Sequence, residues 1–383
     1  MKKYLPSCLI IFLLLITSKV ISQTDVNGPY FVDTVWNLTG SPYNIVGDVQ
    51  IPIDVTLTIE PGVEINFNSN YEILIKGNLI AIGNSNLPIH FNGNVSGKSM
   101  VIFKDADLTN SQLSFLEFNG PKDALQLAEE SEFNQDIIKN SGTLTVSEVS
   151  FNNTKIQSHG YDTSATLVVE NALLTSTEII GVYPRSEYIE VKNSDLINSI
   201  VNSDSYNYGI KINNCTVENT DFSIGCCGAN LEFLNSSITN SSIGEGNGNP
   251  KVGPVIITES EIINSPLNLP AARVEVNSST INYDSPNGLI FGNGIFECSK
   301  ITGNNAGVAM RITGYDGYNI GNSVLISNAI IKDNSVGVDI ENANIVTMSN
   351  TNIYNNTTYN IKNASVENIS ANNNWWGTAN TTQ

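Results

Sequence analysis

The sequence predicts an all-β solenoid, a single-stranded parallel β-helix of about 15 coils, from three observations. First, a short phrase returns about every 22 residues: apolar and polar residues alternate, a small polar residue follows, and another apolar residue comes three positions later. Second, this alternation has the period of a strand with one buried face. Third, no segment after residue 22 carries an apolar stripe of helical spacing long enough to predict a helix; the nearest candidate is Asp123–Glu132, for one short helix or a loop.

The small polar residue of each phrase, most often Asn, marks one corner of each coil, and we call these residues the anchors. Asn and Ser tolerate the left-handed backbone of a sharp turn. At one phase of successive coils, the anchor Asn side chains would form an internal ladder of amide hydrogen bonds; alternatively, they serve only as turn residues. The anchors are Glu148, Asn171, Asn193, Asn214, Asn235, Glu259, Ser278, Cys298, Asn328, Asn350 and Asn372.

Two kinds of solenoid have repeats of this length. A leucine-rich repeat carries a fixed lattice of leucines and usually returns through a helix, whereas here the apolar positions are mixed and the returns look like further strands. A parallel β-helix fits better, since each strand can pair with its equivalent one coil away at ~4.8 Å. One repeat cannot bury its own apolar face, so the coils must stack around a continuous interior.

Several segments resemble a known family. Near the N-terminus, Thr56–Ile59 and Pro61–Val63 lead to Gly77–Gly83 and then to Pro88–Phe91. At the other end lies the turn Asn372–Gly377, which reads Asn-Asn-Asn-Trp-Trp-Gly. Over roughly residues 40–378, the sequence resembles secreted bacterial right-handed parallel β-helix proteins of the pectin-lyase-like superfamily.

The resemblance implies a right-handed parallel β-helix and leaves the activity open. The group includes lyases, hydrolases, epimerases, adhesins and proteins with no known chemistry, so the fold does not select a reaction. Pectate lyases of this group use an Arg or Lys as base and acidic residues to hold calcium at the uronate carboxylate.

Residues 1–22 are predicted to be a secretory signal peptide. Lys2 and Lys3 precede the apolar run Leu9–Ile16, which is too short to span a membrane. The protein is therefore expected to be secreted or displayed on the cell surface, and no transmembrane segment is predicted.

Residues 23–383 are predicted to form one β-helix domain. We expect an N-terminal cap over about residues 23–50, and a last coil with its cap over about residues 360–378. Trp375 and Trp376 are expected to cover the open sheet edge of that last coil, which keeps the protein a monomer.

The charge of the chain limits which classes of molecule it can bind. Its formal net charge is −19 and only 14% of its residues are charged, with no basic patch, so nucleic acid is excluded as a partner. No cofactor is predicted. Calcium binding stays open, although the Gly- and Asp-rich nonapeptide of calcium-loaded β-rolls is absent.

Cysteine and histidine are few after residue 22. Adjacent cysteines allow only a strained bridge, and the other two lie too many coils apart for a disulfide. We therefore expect no disulfide framework and interpret the cysteines as buried thiols. The only histidines are His90 and His159, so few residues are available as ligands for a Cys/His zinc site. The cysteines are Cys215, Cys226, Cys227 and Cys298.

A row of tyrosines is the first candidate ligand-binding site. Tyr161, Tyr183 and Tyr206 follow their anchors by 12 or 13 residues, with Arg185 and Tyr208 beside them. In successive coils they would form an aromatic ladder that could hold sugar rings. Alternatively, the tyrosines stack on one another and shield one side of the solenoid.

The arginines and the longest coil give the second candidate. Arg185, Arg273 and Arg311 each follow an anchor by 13 or 14 residues, and equal phase predicts one face. The 30-residue coil after Cys298 carries an insertion that includes Tyr315 and Asp316. Insertions in a solenoid become loops on one face, often the binding face, although a neutral surface loop is an equal alternative.

The sequence alone leaves two candidate functions open. The first is a non-catalytic exported β-helix that binds a polysaccharide, a cell-surface glycan or a surface partner along its length. The second is a polysaccharide lyase or glycoside hydrolase, which would need paired carboxylates or an Arg or Lys beside carboxylates on neighbouring coils. A groove lined by such groups over three adjacent coils favours the enzyme, and a flat polar side favours binding.

Overall fold

The computed structural model describes residues 23–97, 99–128, 140–158, 165–181, 188–203, 209–225, 230–246, 253–303, 307–314, 323–342 and 345–377. The predicted signal peptide and Cys226 and Cys227 lie outside these residues. Within them, the protein is a parallel β-solenoid with two short 3-10 helices, Leu38–Gly40 and Leu108–Asn110. The number of turns is close to the predicted 15 or so.

The strands follow one another around the solenoid in chain order. They are β1 Thr24–Pro29, β2 Thr34–Trp36, β3 Tyr43–Ile51, β4 Thr56–Ile59, β5 Glu64–Phe67, β6 Ile73–Ile75, β7 Asn78–Ile82, β8 Ile89–Gly93, β9 Val101–Lys104, β10 Gln112–Asn119, β11 Leu125–Ala128, β12 Thr143–Asn152, β13 Lys155–Ser158, β14 Thr166–Glu170, β15 Leu173–Thr175, β16 Glu178–Gly181, β17 Tyr188–Lys192, β18 Asp195–Ile197, β19 Ile200–Ser203, β20 Ile210–Asn213, β21 Thr216–Glu218, β22 Asp221–Ile224, β23 Leu231–Leu234, β24 Ser237–Thr239, β25 Ser242–Glu245, β26 Val255–Thr258, β27 Glu261–Ile263, β28 Leu267–Asn277, β29 Thr280–Asn282, β30 Asn287–Glu297, β31 Lys300–Thr302, β32 Val308–Ile312, β33 Ser323–Ser327, β34 Ile330–Lys332, β35 Val336–Ile340, β36 Ile345–Ser349, β37 Asn352–Tyr354, β38 Tyr359–Asn363 and β39 Ser370–Asn372.

The strands pair in parallel from coil to coil and form three ladders, one for each side of the solenoid. Long strands contribute to two ladders because they bend around a corner. Ladder I runs through β2, β4, β7, β10, β12, β14, β17, β20, β23, β26, β28, β30, β33, β36 and β39. Ladder II runs through β1, β3, β5, β8, β10, β12, β15, β18, β21, β24, β27, β29, β31, β34 and β37. Ladder III runs through β1, β3, β6, β9, β11, β13, β16, β19, β22, β25, β28, β30, β32, β35 and β38.

The anchors occupy the corner between ladders I and II, as their turn chemistry predicts. From Glu148 to Asn350, every anchor has a positive φ, between 47° and 54°. In the last coil, Asn373 takes this conformation in place of the expected Asn372. A second set of positive-φ residues turns the corner between ladders II and III, and sequence reasoning missed it. These residues are Asn153, Ser176, Asn198, Asn219, Asn240, Asn264, Asp333 and Asn355.

The anchor amides do form a ladder, but the prediction that it lies inside the solenoid is wrong. Asn214 donates to Asn193 at 2.7 Å and Asn235 donates to Asn214 at 3.0 Å, but these side chains are exposed on the outside of the corner. The left-handed residue interrupts the alternation of the strand, so the anchor points outward and the next residue points inward. The amides therefore bond one another at the surface, where each bond contributes little.

The internal ladder consists instead of the residues that follow the anchors. The backbone N–H of Cys215 donates to Ser236 Oγ at 3.1 Å, and the N–H of Ser236 donates to Ser260 Oγ at 3.1 Å. Ser260 and Ser279 continue the series with bonds of 3.1 and 3.0 Å. Each hydroxyl thus satisfies a buried N–H of the preceding coil, which would otherwise have no partner at the turn.

The apolar interior is a set of stacks that follow the ladders. Phe118 is fully buried, and its ring stacks on Phe91 at 4.7 Å and on Phe151 at 5.2 Å between ring centroids. These three residues are in register in ladder II, so the same strand pairing that closes the backbone also stacks the rings. The returns of each coil are strands, which rejects the leucine-rich-repeat alternative.

Both ends of the described chain expose strand edges. The predicted N-terminal cap segment contains β1 and β2, each paired on one side only. At the other end, the backbone of Trp375 bridges to Asn352 and extends ladder II by one position. The Trp375 ring contacts Tyr354 at 4.9 Å between centroids but stays 48% exposed, while Trp376 packs against the core. Coverage of the edge and the monomeric state therefore stay predictions.

The two described cysteines differ in accessibility, which corrects the expectation that all are buried. Cys215 and Cys298 are both free thiols, but only Cys215 is buried, and burial raises its pKa to about 11. Cys298 is an anchor and lies outside. Because the thiolate is the reactive form, iodoacetamide should alkylate Cys298 in the native protein and Cys215 only after unfolding. Peptide mapping by mass spectrometry measures both, and equal native rates would contradict this burial.

Candidate functional site

Most of the candidate residues from the sequence lie outside the described residues. They are Tyr161, Tyr183, Arg185, Tyr206, Tyr208, Tyr315 and Asp316. In the chain, each falls in a segment that follows a described ladder III strand and precedes a ladder I strand. The corner between ladders III and I is also where the connections vary in length, whereas Asn171 and Ala172 alone connect β14 to β15. We therefore consider the outer side of ladder III the candidate functional site.

One in-register row of outward side chains runs along this side, and we call it the ladder III row. Its residues face out because their strand neighbours, such as Ile156 and Ser158 around Gln157, are buried. The strands repeat at ~4.8 Å, so the row is a regular series of mostly polar groups. Its residues are Gln126, Gln157, Ile180, Asn202, Ser223, Gly244, Asn268, Ile290, Arg311, Asp339 and Lys362.

The C-terminal end of the row is a charged cluster around Asp339, whose side chain is only 5% exposed. Lys362 Nζ lies 3.1 and 3.3 Å from the two carboxylate oxygens of Asp339. Arg311 Nε lies 3.8 Å from Asp339 and 3.4 Å from Glu341. Two cations thus compensate one buried carboxylate, which would otherwise be strongly disfavoured away from water.

Of the candidate arginines, the structure describes Arg273 and Arg311, and it places them on different sides of the solenoid. Arg273 lies at the start of the ladder I part of β28, opposite Asn293, and pairs with Glu275 at 2.7 Å. Arg311 lies in ladder III. The prediction that these two share one face is therefore wrong. Equal distance from an anchor does not mean equal phase, because the two coils differ in length.

Sequence reasoning missed Asp339, Glu341 and Lys362. A signal was present in the strands themselves: Arg311, Asp339 and Lys362 each follow an inward residue, Met310, Val338 and Ile361, in consecutive ladder III strands. Aligning strands rather than anchors would have found the cluster.

A second charged cluster lies near the N-terminal end of the row. Lys155 Nζ is 3.3 Å from Glu178 and 4.0 Å from Asp123, and Gln157 donates a hydrogen bond to Asp123. Asn202 donates to Glu178 at 3.3 Å. Burial raises the pKa of the Asp123 carboxyl above its ordinary value, and the charge of Glu178 adds to this, although Lys155 opposes it. Asp123 is thus a carboxyl that protonates more readily than an exposed one.

The raised pKa of Asp123 predicts how stability depends on pH. A carboxyl whose folded-state pKa is raised contributes most below its unfolded pKa, and that contribution is lost as pH rises through the folded pKa. The Asp123→Asn variant should therefore gain melting temperature over the parent as pH rises from acid to neutral. Thermal unfolding followed by circular dichroism across that range measures the difference.

Asp107→Asn is the matched control. The hydroxyl and backbone N–H of Thr109 donate to Asp107 and lower its pKa, so the sign is opposite. A parallel pH trend in both variants would contradict the account of Asp123.

Among the residues described, no group of three or more His, Cys, Asp and Glu could hold a metal ion. Calcium binding stays a prediction. In the same residues, no helix has the length and apolar character needed to cross a membrane.

Comparisons with known proteins give distant structural similarity. No protein-family model matches the chain, and no curated protein sequence does either. The GH136 lacto-N-biosidase from Eubacterium ramulus is 9% identical, with a TM-score of 0.26, over 86% of this chain and 63% of that protein. The mannuronan C-5 epimerase AlgE4 A-module from Azotobacter vinelandii is 7% identical, with a TM-score of 0.29, over 84% and 91%.

These similarities are too low to argue an activity, and the chain spans less than two thirds of the biosidase. The parallel β-solenoid itself agrees with the resemblance to the pectin-lyase-like superfamily.

Proposed function

We propose that this exported protein binds a polysaccharide or a cell-surface glycan along the ladder III row and does not cleave it. The observation that carries the proposal is the row itself, an in-register series in which amide, hydroxyl and charged groups predominate, with Ile180, Gly244 and Ile290 between them. A polysaccharide is a repeating ligand, and a solenoid side is a repeating surface that can contact it unit after unit. Side-chain amides both donate to and accept from sugar hydroxyls.

The charges on this side favour binding over cleavage. Lys155 lies between Asp123 and Glu178, and Lys362 donates to both oxygens of Asp339. Arg311 Nε lies 3.8 Å from the same carboxylate. Gln157 also donates to Asp123, Asn202 donates to Glu178, and the Asp339 side chain is only 5% exposed. The oxygens of these carboxylates are therefore engaged within the protein rather than presented to a glycosidic bond.

A glycan array tests the proposal, with the Asn202→Ala/Asn268→Ala double variant beside the parent. Both residues lie in the ladder III row and are at least partly exposed, so the fold should persist. Thr239→Ala, on the outer side of ladder II, is the control. We expect the parent and control to bind the same glycans and the double variant to bind at least about tenfold more weakly, or about 1.4 kcal/mol. A parent that binds no glycan would refute the proposal.

A polysaccharide lyase or glycoside hydrolase is the second candidate, and one observation favours it. Arg311, Asp339 and Lys362 bring two cations and a carboxylate together over three adjacent coils, with Glu341 beside them. In a lyase, Arg311 in its neutral form would take the proton from the carbon next to the uronate carboxylate. A C=C bond would form as the glycosidic C–O bond breaks, and the departing sugar oxygen would take a proton from water.

Incubation with uronate polysaccharides, with and without calcium, separates the two candidates. A lyase gives an unsaturated product that absorbs in the ultraviolet, and a hydrolase releases reducing ends without it. If the parent is active and the Arg311→Gln variant is not, the lyase proposal replaces the binding proposal. If the parent binds the same polymers and leaves them intact, the binding proposal is supported.

A further inference from the structure

A groove of about 490 Å³ lies on a different side of the solenoid from the ladder III row, at the corner between ladders I and II. Its volume is within the range of small-ligand sites. Pro88, Phe115 and Leu173 supply apolar surface, and Glu117, Glu148 and Asp195 supply carboxylates. The full lining is Asn84, Ser85, Pro88, Phe115, Leu116, Glu117, Glu148, Val149, Ser150, Asn171, Ala172, Leu173, Asn193 and Asp195.

A widened corner forms one wall of the groove. Residues 83–88 connect β7 to β8, where later coils turn within two residues. Asn84 holds this turn by accepting from the N–H groups of Asn86 and Leu87, both at 3.0 Å. Gly83 is required there, because a Cβ would lie 2.5 Å from the carbonyl oxygen of Phe115. The wall is thus a built feature that fixes Pro88 beside Phe115.

An aromatic residue occupies an anchor position in this groove. Phe115 pairs in phase with Glu148, and its φ is 53°. A bulky side chain is unfavourable in this conformation, where other coils place Asn, Glu, Ser or Cys. Leu173, which is 44% exposed, lies two strands further along. Phe115, which is partly exposed, and Leu173 both line the groove, and together they suit the apolar face of a sugar ring.

All the charged residues that line the groove are acidic. No Lys or Arg is among the lining residues, so the groove repels uronates and sulfated sugars. Glu117 pairs with His90 at 3.0 Å and Glu148 accepts from Asn171 at 3.1 Å. The Asp195 carboxylate has no hydrogen-bond or ion-pair partner in the described part of the chain. It lies one strand beyond Leu173, so a charge and an apolar surface meet at ~4.8 Å.

We propose that this groove binds an oligosaccharide that carries free amines, with a ring against Phe115 and Leu173 and an ammonium group between Glu148 and Asp195. Glu117 and Asp195 are three strands apart in ladder II, about 14 Å, which accommodates more than one sugar unit. The ligand class is opposite in charge to the uronates of the alternative above, and the site shares no residue with the ladder III row.

Titration with glucosamine oligomers, followed by calorimetry at low salt and a pH where the amines are protonated, tests the proposal. The Glu148→Gln/Asp195→Asn double variant should bind at least tenfold more weakly than the parent, and added salt should weaken parent binding. Glu261→Gln is the matched control, since Glu261 is in the same outer row of ladder II, three strands beyond Asp195. This control should bind as the parent does.

The outcomes separate this site from the ladder III row. Equal binding of fully N-acetylated oligomers, unchanged binding by the double variant, or no binding by the parent would each overturn the proposal. The Asn202→Ala/Asn268→Ala variant should leave amine-oligomer binding unchanged, so failure of one proposal does not decide the other.

Discussion

Replacing Phe118 by Ala is expected to destabilise the solenoid by about 3–5 kcal/mol. The ring is fully buried and stacks on Phe91 and Phe151, so its loss leaves a cavity between two coils and removes two aromatic contacts. The cavity cannot collapse easily, because the backbones on both sides are fixed by ladder pairing. Denaturant unfolding followed by circular dichroism measures the change.

Phe118→Leu is the control for volume. Leucine refills most of the space and loses only the aromatic stacking, so we expect a clearly smaller loss, of about 1–2 kcal/mol. Equal losses for the two variants would show that cavity volume does not determine the effect. A loss below about 1 kcal/mol for the Ala variant would contradict the stacked interior.

Ser236→Ala is expected to destabilise the protein by about 1–3 kcal/mol, although it removes one oxygen atom only. The hydroxyl accepts from the backbone N–H of Cys215 at 3.1 Å and donates to the carbonyl of Leu234 at 2.8 Å. Without it, a buried N–H has no acceptor, and the turn around Asn235 loses its inner support.

Ser236→Thr is the matched control, because Thr351 already fills this position in another coil and donates to the carbonyl of Ser349 at 3.0 Å. The Thr variant should unfold close to the parent. If the Ala and Thr variants lose the same stability, the hydroxyl ladder is not what stabilises the corner.

Much of the fold follows from local sequence, and particular residues show how far. The alternation of Ile210-Lys211-Ile212 predicts a strand, and the small polar Asn214 predicts the left-handed turn that the structure has. The direction of the side chains after the turn does not follow from period two, because a left-handed residue resets the alternation. Cys215 and Ser236 therefore lie inside, and the Asn amides that were expected inside lie outside.

The candidate site follows from sequence less well, because it depends on register between coils. Arg311, Asp339 and Lys362 stand 13, 11 and 12 residues past their anchors, so counting from the anchors separates residues that strand pairing brings together. Phe115 is not a residue type that predicts a left-handed turn, yet it occupies an anchor position. The tyrosine row, Tyr161, Tyr183 and Tyr206, stays a prediction outside the described residues.

Hydroxyl-radical footprinting of the protein with a polysaccharide from the glycan array shows directly whether the polymer binds along the ladder III row. Ile180 and Ile290 lie in that row, are partly exposed and react well with radicals, while Ile263 on the outer side of ladder II is the internal control. We expect the polysaccharide to protect Ile180 and Ile290 and to leave Ile263 unchanged. If a polysaccharide binds and the oxidation of Ile180 and Ile290 does not change, binding along the ladder III row is contradicted.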